Sequence, residues 1–256
     1  MFRLVLSIAV VAVSVCAAAD IAPEQRRSGF EFMSPQTRAM QSDDTGNPGM
    51  LWVADGERLW EEPPASDVKS CAGCHDDAAR TMRGVAARYP AFDEATKRPI
   101  DLMSRINQCR ENRQGAAPLT HQSNELLALT AYVAYQSRGM PITPPADSRL
   151  QPFRENGRVW FERRLGQLQL SCASCHDERW GARLGGSIIP QGHPTGYPLY
   201  RLEWQAVGSL QRRLRGCLVG VRAQAFDFGA PEFVDIELFL MQRAQGLKME
   251  TPAVRP

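Results

Sequence analysis

Along the chain, apolar residues recur three and four positions apart, in stretches separated by polar or proline-rich segments. This spacing predicts helices over 102–113, 124–136, 157–168, 209–221 and 232–245. Asn124 is a fair N-cap for its helix, and Gly139 and Gly246 fall just past two helix ends, where a left-handed residue stops a helix. Segments of strict apolar–polar alternation are few. A short hairpin is the most that is expected near 188–199, where Pro190, Gly192, Pro194, Gly196 and Pro198 forbid a long helix. The fold class expected from the pattern is mainly α.

The same landmarks then appear a second time. Trp60, the run Cys71-Ala72-Gly73-Cys74-His75, Cys109, the helix start at Asn124 and Gly139 match Trp160, Cys172-Ala173-Ser174-Cys175-His176, Cys217, the helix start at Glu232 and Gly246. The offset grows by a few residues along the way, which predicts a small insertion in the second copy around 194–204. A repeat this long is a duplicated domain rather than a solenoid unit. Between the copies, Pro141, Pro144 and Pro145 read as an extended, semi-rigid linker. The organisation expected is a signal peptide over 1–19, an N-terminal arm and first domain over 20–140, a Pro-rich linker over 141–151 and a second domain over 152–256. The polar stretch 20–45 is expected to wrap or cap the first domain.

Composition narrows the function classes. A net charge of +2 over 256 residues gives no reason to expect a nucleic-acid partner. Lys69, Lys97 and Lys248 are the lysines, and every other formal cation is arginine. Arginine suits anions with several oxygens because its planar fork makes paired hydrogen bonds; a GC-rich genome gives the same bias. At the N-terminus, Arg3, the apolar run 4–16 and Ala17-Ala18-Ala19 before Asp20 read as a cleavable secretory signal. The run is short for a membrane span, and no later stretch is long enough. Cys16 raises a lipoprotein anchor, which Val15 before it disfavours.

Of the seven cysteines, setting Cys16 aside leaves six, and four of these form two C-x-x-C-H motifs. One such motif is compatible with a zinc or redox pair. Two in an exported helical chain point to two haem c groups, attached through Cys71 and Cys74 and through Cys172 and Cys175, with His75 and His176 as axial ligands of the iron. The architecture expected is thus two tandem cytochrome c-like haem domains related by internal duplication. For the opposite face of each iron, Met103, Met140, Met241, Met249, His121 and His193 find no matching partner between the copies, whereas Cys109 and Cys217 do. Thiolate ligation at both irons is therefore expected, in preference to a Cys109–Cys217 disulfide or buried, inert cysteines. A thiolate lowers the reduction potential and keeps the sulfur in its nucleophilic form. Arg213 lies one helical turn before Cys217 on the same face, and Gly216 leaves room beside the sulfur. Arg105 repeats that turn before Cys109, but Gln108 replaces the glycine and Glu111 adds negative charge, so Cys217 is the more anion-receptive sulfur. For Arg212, Arg215 and Arg222, contact with haem propionates or a solvated face fits as well as an anion-receptive role beside the sulfur.

Two C-x-x-C-H motifs followed by Arg213-Leu214-Arg215-Gly216-Cys217 make the chain resemble the dihaem SoxA cytochromes of bacterial thiosulfate oxidation, from about Trp52 to the C-terminus. The resemblance implies a periplasmic heterodimer with a small monohaem subunit, SoxX, and a persulfide on the second cysteine ligand. It implies the activity of an L-cysteine S-thiosulfotransferase: thiosulfate is joined to a cysteine thiol of the carrier SoxYZ, and two electrons pass to a partner cytochrome. Carried over by position, Cys217 is the persulfide-forming cysteine and Arg213 the substrate-binding arginine. The alternatives are a dihaem electron-transfer cytochrome, which calls for a methionine or histidine ligand, and a dihaem peroxidase, which calls for an open iron position.

Overall fold

The computed structural model describes residues 21–256, so the expected signal peptide and Cys16 lie outside the described residues. A short helix α1 (Pro35–Ser42) comes first. The first half holds α2 (Met50–Glu61), α3 (Ala72–His75), α4 (Ala78–Thr81), the strands β1 (Ala91–Asp93) and β2 (Arg98–Ile100), α5 (Leu102–Gln114) and α6 (Asn124–Tyr135). The second holds α7 (Gln151–Glu162), α8 (Cys172–His176), β3 (Arg183–Leu184), β4 (Ser187–Ile188), β5 (Leu199–Arg201), β6 (Ala206–Gly208), α9 (Leu210–Gly220), α10 (Pro231–Arg243) and β7 (Val254–Arg255). The fold is mainly α with small sheets, and no helix among the described residues is long and apolar enough to cross a membrane.

Each half is built on one close helix crossing. In the first, Gly56 of α2 meets α6, where a Cβ would stand 2.1 Å from the Ala128 carbonyl oxygen. In the second, Gly157 of α7 meets α10, where a Cβ would stand 2.0 Å from the Asp235 carbonyl oxygen. Only glycine permits backbones this close. Around the second crossing Phe161, Phe233, Ile236, Phe239 and Leu240 form a buried cluster. Helix α7 covers 151–162 rather than the expected 157–168: the chain leaves the helix at Arg163 and turns at Gly166, whose φ is +65°. Helix α6 is capped by Ser123, whose hydroxyl accepts from the Leu126 amide at 3.2 Å, rather than by Asn124.

Two hairpins escape the sequence pattern because their strands are three residues long, too short for alternation to register. Strand β1 pairs β2 antiparallel with Asp93 opposite Arg98, and β5 pairs β6 with Arg201 opposite Ala206. Each hairpin follows a Tyr-Pro step, Tyr89-Pro90 or Tyr197-Pro198, and leads into a capped helix. Asp101 accepts from the Ser104 amide at 2.7 Å to start α5, and Ser209 accepts from the Arg212 amide at 3.1 Å to start α9. From the Tyr-Pro step to the lone cysteine the two halves match without a gap. The extra residues of the second half therefore precede Tyr197, where the β3–β4 hairpin stands, and not 194–204. The stretch 188–199 is not itself a hairpin but the irregular connection between two of them.

The proline-rich connection is strapped to the core instead of spacing two free bodies. Ile142 is buried, its amide donates to the Leu247 carbonyl at 2.8 Å, and the Thr143 amide donates to the Ala87 carbonyl at 2.9 Å. Ala86, Ala87 and Ala134 of the first half share one apolar cluster with Met241, Ala244 and Met249 of the second. The N-terminal segment lies mainly on the second half rather than capping the first. The Arg27 amide donates to Gln191 Oε1 at 2.7 Å, and the Val254 amide donates to Gln41 Oε1 at 3.1 Å. The Asp44–Arg138 pair, with bonds of 2.6 and 2.7 Å, ties it to the first half.

Candidate haem and sulfur site

Helix α8 carries the second C-x-x-C-H motif and is fixed at its start by a reciprocal cap between Ser171 and Ser174. At its end, His176 Nδ1 lies 2.6 Å from the Pro190 carbonyl oxygen. A carbonyl can only accept, so Nδ1 carries the proton and Nε2 keeps its lone pair for a metal. Gly192, at φ +77°, brings the same loop flat against the ring: a Cβ there would stand 3.0 Å from His176 Cγ.

The motif lines a cavity of about 1620 Å³, counting its open mouth. Cys172, Cys175 and His176 belong to its wall, as do Cys217 and Arg213 of α9, with Phe161, Leu199, Leu210 and Leu218 among the apolar remainder. Burial pushes the Cys172 thiol up to about 12, and Cys217 adds to the rise; burial and then Cys217 also raise Cys175. Cys217 is thus within electrostatic reach of both motif thiols. Burial opposes the charge of Arg213, but Cys217, Tyr197 and Glu203 outweigh it and hold the guanidinium above its ordinary value. Gly216 is exposed, with open space where a Cβ would stand. Of the other arginines, Arg212 stacks over Trp204 at 4.2 Å and Arg215 over Phe228 at 4.8 Å, while Arg222 reaches Gln167 Oε1 at 3.5 Å. All three have structural employment.

The residues present fit a haem. The donor set is one imidazole with its second nitrogen fixed, lining a largely apolar cavity together with the thiols of Cys172, Cys175 and Cys217. Among the described residues, no group of three or more His, Cys, Asp or Glu converges as a bare metal ion requires. Two buried polar atoms of the wall, His193 Nε2 and Arg201 Nε, lack a partner, as groups awaiting a polar ligand do. His193 has no counterpart in the first half that would make it a matched ligand. Its Nδ1 lies 2.8 Å from the Arg27 carbonyl oxygen, and burial pushes it down to about 4, so the ring is a neutral wall element of the cavity. Met33, from the N-terminal segment, also lines this cavity, and its sulfur accepts from Arg255 at 3.6 Å. Met103 packs with Leu126 and Leu127, and Met241 and Met249 lie in the apolar cluster between the halves.

The first motif is built differently. Cys74 and His75 are exposed, and none of Cys71, Cys74, His75 or Cys109 lines the large cavity. Trp60 backs the motif: its ring centroid is 5.7 Å from that of His75, and its Nε1 donates to the Asp76 carbonyl at 3.1 Å. Burial raises the Cys71 thiol, Arg110 opposes it, and Cys109 adds to the rise, so Cys109 lies within electrostatic reach of Cys71. All six described cysteines are free, and Cys109 and Cys217 stand in separate sites, which removes the disulfide alternative. Sequence reasoning passed over Tyr197 and Arg201, which line the second cavity, although the repeated Tyr-Pro step marks both.

The SoxA/TsdA cytochrome c domain model matches residues 55–142. The chain is 39% identical over 229 residues to the L-cysteine S-thiosulfotransferase subunit SoxA of Pseudaminobacter salicylatoxidans, covering 89% of this chain and 80% of that protein. It is 36% identical to the SoxA subunit of Rhodovulum sulfidophilum, covering 91% and 81%. The crystal structure of SoxXA from P. pantotrophus superposes with a TM-score of 0.86 at 32% identity, over 90% of this chain and 87% of that one. With this agreement along nearly the whole described length, the chain belongs to the SoxA family of cytochromes c.

Proposed function

We propose that the chain is the thiosulfate-conjugating subunit of a periplasmic SoxXA-type complex, an L-cysteine S-thiosulfotransferase that joins thiosulfate to a cysteine thiol of a SoxYZ-type carrier. The observation that carries this is the convergence of Cys172, Cys175, His176, Cys217 and Arg213 on one cavity. The names of the relatives and of the superposed complex support it. In this reading the chain is a duplicated pair of cytochrome c-like domains holding two haem c groups. Cys71 and Cys74 attach the first, with His75 and Cys109 as axial ligands. Cys172 and Cys175 attach the second, with His176 and Cys217 as axial ligands. The matched glycine crossings and matched hairpins support the duplication.

When bound, the haem supplies an electron acceptor and a soft Lewis acid that holds the sulfur deprotonated. The rest falls to side chains. The His176–Pro190 hydrogen bond holds the imidazole in one tautomer and orientation. Arg213 binds the sulfonate oxygens by charge-assisted hydrogen bonds. A Cys217 persulfide bonds to the terminal sulfur of thiosulfate: one S–S bond forms, two electrons leave to the partner cytochrome, and Cys217 carries the sulfonated chain. The carrier thiolate then attacks that terminal sulfur, the bond to the Cys217 persulfide breaks, and the persulfide is restored. Overall one thiol proton and two electrons are released per conjugate. The open space at Gly216 gives the carrier its approach to the sulfur.

The test is thiosulfate-dependent conjugation by the purified complex, followed by mass spectrometry of the carrier. Cys217→Ser is expected to abolish product while both haems remain attached. Unchanged turnover in that variant refutes the proposal.

A further inference from the structure

The two lone cysteines have matching arginines one turn earlier, yet only one of those arginines is free. In the first half, Arg105 is spent locally. Its Nη2 lies 3.1 Å from Asp93 Oδ1, its Nη1 donates to Gln108, and Gln108 in turn donates to the same Asp93 oxygen at 3.2 Å. Asp93 is the last residue of β1 and is buried. In the second half, the last residue of β5 at the matching place is Arg201, so the carboxylate that neutralises Arg105 is replaced by a second guanidinium. Among the described residues Arg213 forms no ion pair. Arg201 is largely buried: its side chain is 12% exposed, its Nη2 reaches Glu203 at the rim at 2.8 Å, and its Nε has no partner. It lines the same cavity as Cys217 and Arg213. Burial lowers its basicity, and Arg213 is the next cause, so the two cations already repel one another. Burying two like charges side by side is unfavourable unless an anion joins them.

We propose that Arg201 is the second arm of an anion clamp, gripping the sulfonate end of a sulfur oxyanion together with Arg213, and that the strand position occupied by Asp93 or Arg201 decides which half accepts substrate. The inference rests on the reading of Cys217 and Arg213 given above and deepens it. Two planar forks set against one tetrahedral anion supply more donors than a single arginine and match a dianion in charge. The first half, self-neutralised by Asp93, has no such vacancy for an anion. A haem propionate is the other anion that Arg201 could meet in this cavity, and the experiment separates the two.

Thiosulfate binding to the complete haem-loaded complex is measured by calorimetry for wild type, Arg201→Ala, Arg201→Lys, Arg201→Asp and Arg213→Ala, alongside haem content and midpoint potential. Arg201→Ala is expected to weaken binding roughly tenfold or more, the loss of a hydrogen-bonded charge contact. Arg201→Lys is expected to recover part of the loss. Arg201→Asp, which recreates the first half's pair, is expected to weaken binding further than alanine by neutralising Arg213. Haem content stays at the wild-type value in all three. Unchanged affinity in Arg201→Ala and Arg201→Asp overturns the proposal, as does a shifted potential or lost haem with unchanged affinity, which assigns Arg201 to a propionate. If Arg213→Ala alone weakens binding, only the Arg201 assignment falls; if neither arginine matters, the reading of the whole site falls with it.

Discussion

Replacing Gly157 by alanine tests whether the α7–α10 crossing holds the second site in shape. A Cβ there would stand 2.0 Å from the Asp235 carbonyl oxygen, 2.7 Å from its carbonyl carbon and 2.8 Å from Phe239 Cβ. Two of these atoms are backbone, which cannot swing aside as a side-chain end can. The helices must part by about 1 Å or more, loosening the contact of Phe161 with Phe239, whose ring centroids are 5.4 Å apart. Overpacking of this kind costs about 1–3 kcal/mol, and the better helix propensity of alanine returns about 1 kcal/mol at most. A net loss of about 2 kcal/mol corresponds to a melting temperature lower by roughly 4–8 °C for a chain of this size. Thermal melts of the haem-loaded protein, followed by far-ultraviolet circular dichroism, read this directly. Gly220→Ala is the matched control: it is also helical, but nothing stands within 4 Å of its Cβ position, so its melting point is expected to hold or rise. Equal melting points for Gly157→Ala and Gly220→Ala would falsify the argument that the crossing depends on a bare backbone.

Two further outcomes are expected. Glu237 lines an internal chamber between the halves with Tyr89, Tyr197 and Asp101, and burial, then Asp101, raise its carboxyl well above the usual range. The native state therefore keeps this proton to higher pH than the unfolded chain. The contribution is full below the unfolded glutamate value near pH ~4 and is lost as pH rises toward the native value, at slightly more than 1 kcal/mol per pH unit. Glu237→Gln should flatten this decline in urea unfolding above about pH 5; parallel profiles for the two proteins would contradict it. Asp177 and Arg243 form an ion pair at 2.6 Å with side chains 11% and 6% exposed, beneath the second haem motif. Asp177→Asn removes the carboxylate charge from this buried bridge and is expected to lower the urea midpoint; an unchanged midpoint rejects that reading.

Much of the chemistry is local in sequence and was legible there. A C-x-x-C-H run needs only its own short helix, so Cys172, Cys175 and His176 come together wherever α8 forms. Arg213 and Cys217 share a helix face because they are four residues apart, and the structure keeps that relation on α9. The helix through Cys217 and the two closing helices were likewise readable from their apolar residues, whereas the polar helix through Cys109 carries little periodic signal.

What the sequence by itself determined is the set of motifs, their helical carriers and the placing of Cys109 and Cys217 each on a helix downstream of one motif. What only the tertiary structure decided is which groups face one another across chain distance. The pairing of His176 with Pro190 spans an irregular loop with no periodic signal. Part of the hold of the N-terminal segment on the second half is through its own backbone, at the Arg27 amide and the Gln25 carbonyl, which leave no trace in residue type. In sequence the two cysteine sites differ in their helix neighbours, Gly216 against Gln108. The structure adds a difference on strands of three residues, where Asp93 or Arg201 is carried beside the helix by a hairpin too short to announce itself. Charges brought together by such pairing interact through space at a few ångströms, and a linear pattern records only their separation along the chain.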